Sequence, residues 1–172
     1  MMDIAAIQDY LGEYELDGWL LADFHGRNTI AVNLLGLSGL VTRRSFYYLP
    51  AVGEPTAVVH AIEQDKFKDV PGRIITYSGY KTLEQELGRL LAGAGRVAME
   101  YAPMGRLPYI GLVDAGTVEL IRELGGEVTS SANLVTYFQA RLSVEQIASH
   151  RIAAHNLIEI KETDGAVDDI DH

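Results

Sequence analysis

Four consecutive apolar residues, Trp19 to Ala22, give way abruptly to Asp23, His25, Gly26, Arg27 and Asn28. Such a run predicts a strand covered on both faces, with polar side chains gathered at its end. In open α/β sheets, strand ends of this kind are where ligands meet the protein. Ahead of it, Ile4, Ile7, Leu11 and Tyr14 recur at helical spacing, and the pattern predicts a helix over 3–15 that stops before Gly18. A second helix is predicted over 28–35, opened by Asn28 and closed by the loop 36–39. The β-rich stretches 46–49 and 55–60 flank residues 51–54, which read as a hairpin turn, so these two strands are expected to be antiparallel neighbours.

From Arg73 the pattern alternates regularly. Strands are predicted at 74–77, 97–100 and 127–130, and helices at 82–91 and 117–124, with Gly93, Gly95, Gly125 and Gly126 as stops between them. This order predicts an α/β fold, a single three-layer domain over 1–141 with a mixed sheet of about six strands. A further helix is predicted over 142–162, where Ser143 and Gln146 form a capping-box pattern. Residues 163–172 are acidic and poor in large apolar side chains, and are expected to be disordered.

Composition narrows the classes of function. The 172-residue chain suits one domain and contains no cysteine, which excludes disulfides, thiolate metal sites and a cysteine nucleophile. Fourteen Lys and Arg against twenty-four Asp and Glu give a net charge of −10, which disfavours nucleic acid and anionic membrane as partners. The N-terminal residues show no targeting pattern, so the expected compartment is the cytoplasm.

Candidate chemistry is sparse. The five histidines, at 25, 60, 150, 155 and 172, include no pair at the i, i+4 spacing that sets two imidazoles on one helix face for a metal. No phosphate-cradling glycine motif and no nucleophile elbow is present. Glu100, at a predicted strand end, reads either as a catalytic carboxylate or as a structural hydrogen-bond acceptor. Arg43 and Arg44 are the strongest recognition candidates, because a guanidinium can grip a carboxylate through two parallel hydrogen bonds. Period-two geometry sends the two arginines to opposite faces and puts Arg44 on the side of Phe46, so one arginine at most is expected to face a ligand. Two solvated strand-edge charges are the plain alternative.

The segments GWLLADFHGRN, GLSGLVTRRSFYYLP and EPTAVVHAIE, the stretch from Gly95 to Val135 containing VDAGTVELIRELG, and SVEQIASHRIAAHNLI together resemble the N-terminal domain of the creatinase, prolidase and aminopeptidase P family. The resemblance spans nearly the whole chain and implies a small ribonuclease H-like α/β domain. In that family it precedes a larger metallohydrolase domain whose aspartates, histidine and glutamates hold two divalent metals such as Mn or Zn. Those ligands would follow the helix that begins at Ser143, which the resemblance casts as a linking helix towards the catalytic domain. The sequence in hand runs out through IEIKETDGAVDDIDH instead.

The resemblance therefore implies a noncatalytic domain with no metal or cofactor of its own, which forms a homodimer or otherwise self-associates. It would cap the substrate of a partnering active site, a proline-containing peptide or small carboxylate. Arg43, Arg44 and Phe46 match in kind the residues that touch substrate in trans, and Asp23, His25 and Asn28 form the adjoining loop. Relatives more often carry arginine where this chain has His25. Two other readings stay open: a free-standing interaction or small-ligand module, and an enzyme using Glu100, Asp23 and His25 as acid-base groups.

Overall fold

The computed structural model describes residues 2–139. Helix α1 (Ile4–Glu13) opens at Asp3, whose carboxylate accepts from the Ala6 amide, and buries Ile7, Tyr10 and Leu11. Strand β1 (Gly18–Asp23) is buried along its whole length. Helix α2 (Thr29–Leu34) follows, capped by the Asn28 side chain. Strands β2 (Ser45–Pro50) and β3 (Thr56–His60) then form the antiparallel pair expected from the sequence, with Phe46 opposite Val58. Beyond them come β4 (Arg73–Tyr77), α3 (Tyr80–Leu90), β5 (Arg96–Met99), α4 (Ala115–Glu123), β6 (Glu127–Ser130) and α5 (Ala132–Gln139).

The six strands form one mixed sheet in the order β4-β3-β2-β1-β5-β6. Neighbours pair in parallel except around β2, which runs against both β1 and β3. Alternation along the strands divides the core in two. Leu20, Ala22, Phe46, Tyr48, Val58, Val97 and Met99 pack on one face with Leu83 and Leu87 of α3 and with Val118 and Ile121 of α4. Trp19, Leu21, Tyr47 and Leu49 point to the other face, where α1 and α2 lie against β1 and β2. The result is the three-layer α/β arrangement that the pattern predicts.

Most boundaries fall within two residues of expectation. Helix α4 starts earlier than 117 because Asp114 is its N-cap, accepting from the Thr117 amide. Helix α5 and the 3-10 turns at Ala61–Phe67, Pro103–Gly105 and Pro108–Ile110 are additions to the elements predicted from the sequence; the two three-residue turns are too short to show any periodicity. The predicted helix over 142–162 and the acidic tail over 163–172 lie outside the described residues. No helix among the described residues is long and apolar enough to cross a membrane.

Gly72 fixes the start of the β3–β4 ladder. Its φ is +97°, and a Cβ there would collide with the Pro55 carbonyl, the group that accepts from the Arg73 amide. Gly72→Ala is therefore expected to lower stability by at least about 1–3 kcal/mol from backbone strain alone. A lower urea midpoint at unchanged m-value would show it.

Candidate functional site

The carboxyl end of β1 and the beginning of β2 lie side by side, because Asp23 pairs with Ser45 across the antiparallel ladder. At this edge a cleft of about 380 Å³ opens between the loop after β1, the entry to β2 and the segment leading into α4. Phe24, Phe46, Leu112 and Val113 provide apolar wall, and Arg27, Arg44, Asp23, Asp114 and Thr117 provide the polar one.

Arg44 is held by a relay. Its Nη1 donates to Thr117 Oγ1 at 2.9 Å, and that hydroxyl donates on to Asp114 Oδ2 at 2.7 Å. Partial burial opposes ionisation of Asp114, but the Thr117 hydroxyl and amide and the nearby Arg44 charge outweigh it, so its pKa is lowered. The carboxylate thus stays charged and anchors the arginine. The guanidinium of Arg44 also lies 5.9 Å from the centre of the Phe24 ring, and that of Arg27 lies 5.7 Å from it. Two cations share one half-exposed aromatic ring at the mouth of the cleft.

The backbone that delivers Arg44 is fixed from two sides. The Tyr77 hydroxyl donates to the Arg44 carbonyl at 2.7 Å. Just before it, Glu63 accepts from the amides of Thr42 and Arg43, both at 2.9 Å, from the Thr42 hydroxyl and from Lys66 Nζ. Burial raises the pKa of Glu63, but these four donors more than offset it and hold it down at about 2. Arg43 consequently turns away: its side chain is exposed, reaches Thr42 Oγ1 and does not line the cleft.

The loop after β1 is shaped by Asp23, whose carboxylate accepts from the amides of Gly26 and Asn28 at 2.9 and 2.8 Å. His25 and Gly26 both take left-handed conformations to close it, at φ +64° and +68°. His25 is exposed, stands edge-on to Phe24 and lies outside the cleft lining. Asn28 is wholly buried. Its Nδ2 donates to the Ala22 carbonyl and to Glu100 Oε2, and its Oδ1 caps α2 at the Ala31 amide.

Glu100 is also wholly buried. Its Oε1 accepts from Trp19 Nε1 at 2.7 Å and from Ser131 Oγ at 3.0 Å, while Oε2 takes the Asn28 amide at 2.6 Å. Burial raises its pKa against the pull of those donors. The carboxyl group ties β1, β5, α2 and the start of α5 together beneath the loop, with no surface open to solvent.

Of the residues singled out from sequence, the structure brings Arg44, Phe46 and Asp23 to the cleft and leaves Arg43, His25 and Asn28 off it. Arg27, named from the sequence only among the polar residues at the end of β1, lines it too; Phe24, Asp114 and Thr117 were missed. The last two carried a signal, since an aspartate three residues ahead of a threonine at a helix start is a capping pattern. Among the described residues no three His, Asp or Glu side chains cluster so as to hold a metal ion, so a two-metal centre does not fit them.

No protein-family model matches the chain, and neither does any curated protein. Solved structures do. A proline dipeptidase from Streptococcus pneumoniae TIGR4 is similar at a TM-score of 0.62 and 19% identity, over 82% of this chain and 99% of that one. The creatinase/prolidase N-terminal domain of an X-Pro dipeptidase from Streptococcus pyogenes matches at a TM-score of 0.58 and 14% identity, over 78% of this chain and 97% of that one. A dipeptidase from Pyrococcus horikoshii OT3 matches at a TM-score of 0.62 and 18% identity over 94% of this chain, which spans only 44% of its length. The order of strands, the layering and these likenesses agree: this chain has the fold of the creatinase/prolidase N-terminal domain.

Proposed function

We propose that the chain serves a Xaa-Pro peptidase-like metallohydrolase as its noncatalytic N-terminal domain, self-associating and capping substrate in trans, with Arg44 reading a carboxylate. One observation carries the reading. Arg44 is presented at the mouth of a cleft with one apolar and one polar wall by the Thr117–Asp114 relay, oriented but still only partly buried. A guanidinium fixed in this way loses little side-chain freedom when it takes a carboxylate through paired hydrogen bonds. Phe24, Phe46, Leu112 and Val113 would receive the apolar part of the same ligand, such as a proline ring. In this reading the metal pair and the chemistry belong to a separate catalytic half, and the setting is the cytoplasm.

The test is a titration followed by the Arg44 side-chain and Phe24 ring resonances. A dipeptide ending in proline with a free carboxylate is expected to shift both signals. Its C-terminal amide is expected to bind at least about tenfold more weakly, as is the acid to Arg44→Ala, since a charged hydrogen bond contributes about 1.5–3 kcal/mol. Equal binding of acid and amide, or no change on Arg44→Ala, would overturn the reading. Turnover of a Xaa-Pro peptide by the chain alone with Mn²⁺ would overturn it as well.

A further inference from the structure

We propose that Arg27 is a second anion contact of the cleft, so that the preferred ligand is a dipeptide with two carboxylates, one at its C-terminus and one on an acidic side chain preceding proline. This rests on the reading of Arg44 above and adds a specificity to it. The two guanidiniums meet at Phe24, with Arg27 at 5.7 Å and Arg44 at 5.9 Å from the ring centre. Their separation therefore cannot exceed those two lengths laid end to end. Both arginines line the cleft, Arg27 as an exposed side chain and Arg44 as a partly buried one.

Each arginine is delivered by backbone that a carboxylate has pinned. Asp23 accepts from the amides of Gly26 and Asn28, the residues on either side of Arg27. Glu63 accepts from those of Thr42 and Arg43, just ahead of Arg44. Both turns are ordered by the fold itself, so a ligand does not have to supply that ordering when it binds.

Neither acid neutralises the arginine it helps to place. Among the described residues the ion pairs are Lys66 with Glu63 and Arg89 with Glu86, and no carboxylate lies within ion-pair reach of Arg27 or Arg44. The oxygens of Asp23 and Asp114 in the cleft wall are taken by backbone amides and by the Thr117 hydroxyl. Arg44 donates to Thr117 Oγ1, and Arg27 makes no hydrogen bond among the described residues. Two such cations around one ring repel each other, and a ligand with a carboxylate for each relieves that repulsion. A single carboxylate on Arg44 leaves Arg27 unanswered. With a proline ring against Phe46, Leu112 and Val113 and its carboxylate on Arg44, the other anionic group a dipeptide can offer is the side chain of its first residue. Aspartate or glutamate carries that group only a few bonds from the terminal carboxylate, within the span that the shared ring allows.

Resonance titrations of the full chain with acetyl-Glu-Pro and its isostere acetyl-Gln-Pro test this. The wild type is expected to bind acetyl-Glu-Pro about threefold more tightly, the scale of one exposed ion pair. The Arg27 side-chain signals should move with that peptide and stay in place with the other. Arg27→Gln should bring the two affinities level, and Arg27→Glu should reverse their order. Both substitutions fall on an exposed side chain, and circular dichroism checks that each variant is folded. Equal affinities in the wild type, or a preference that survives Arg27→Gln, would overturn the proposal. So would inorganic phosphate that moves both arginines as far as the peptide does, since that marks a patch for any anion. Acetyl-Gln-Pro binding that weakens on Arg44→Ala, with no preference for glutamate, overturns the role of Arg27 alone. Binding of neither peptide overturns the carboxylate reading together with it.

Discussion

Glu100→Ala should lower the unfolding free energy by about 3 kcal/mol, because it leaves the Trp19 indole N–H, the Asn28 amide and the Ser131 hydroxyl buried without their shared acceptor. Neither Trp19 nor Asn28 is exposed enough for water to replace the carboxyl group. Glu100→Gln keeps the volume and one acceptor oxygen, but turns an NH₂ towards the Asn28 NH₂, so an intermediate loss is expected. The pH dependence separates the two variants from the wild type. Burial gives the folded state a raised Glu100 pKa, so the folded chain holds this proton at pH values where the unfolded chain has released it. The stabilising share of Glu100 is therefore complete below the unfolded carboxylate pKa of about 4.3 and is lost as pH rises through the folded value. Urea midpoints measured across that interval should fall with rising pH in the wild type, and this component should be missing in Glu100→Gln. An Ala variant as stable as the wild type would show that the donors find other partners.

Glu63→Ala is expected to cost about 2–3 kcal/mol at neutral pH, by stranding the Thr42 and Arg43 amides beneath the turn that leads into β2. Here the sign is reversed. The folded pKa of about 2 lies below the unfolded one, so the contribution is present above the ordinary carboxylate pKa and is lost as pH falls towards 2. The gap between wild type and variant should accordingly close on acidification. The same variant loosens the backbone that delivers Arg44, so dipeptide affinity should fall even though Glu63 does not line the cleft. Glu63→Gln, which keeps an acceptor for one amide, should recover part of both losses. A variant with weakened stability and unchanged affinity would show that Tyr77 alone suffices to place Arg44.

These two carboxylates also mark the limit of what the sequence discloses. The strand order of apolar runs and the helical spacing of Ile4, Ile7 and Leu11 are local, and local periodicity is enough to recover β1 to β6 and the longer helices. Likewise the pairing of Arg44 with Phe46 on one side follows from alternation along a strand. Apart from Lys66, the partners of Glu63 and Glu100 lie 20 to 81 residues away along the chain, and nothing in the local pattern announces them. Asn28 was expected at a helix start and is there. Its second task, bonding Glu100, appears only once β5 has been laid beside β1. The left-handed His25 was no more legible, because a turn with two consecutive positive φ values is fixed by the Asp23 carboxylate.

Since β2 alone runs against its neighbours, the connection at 51–54 emerges at the pole of the domain opposite the cleft. Val52 is 90% exposed there. A fluorophore or affinity handle grafted at that corner would report on the molecule without entering the cleft, and would lie at the antipode of the Arg44 guanidinium.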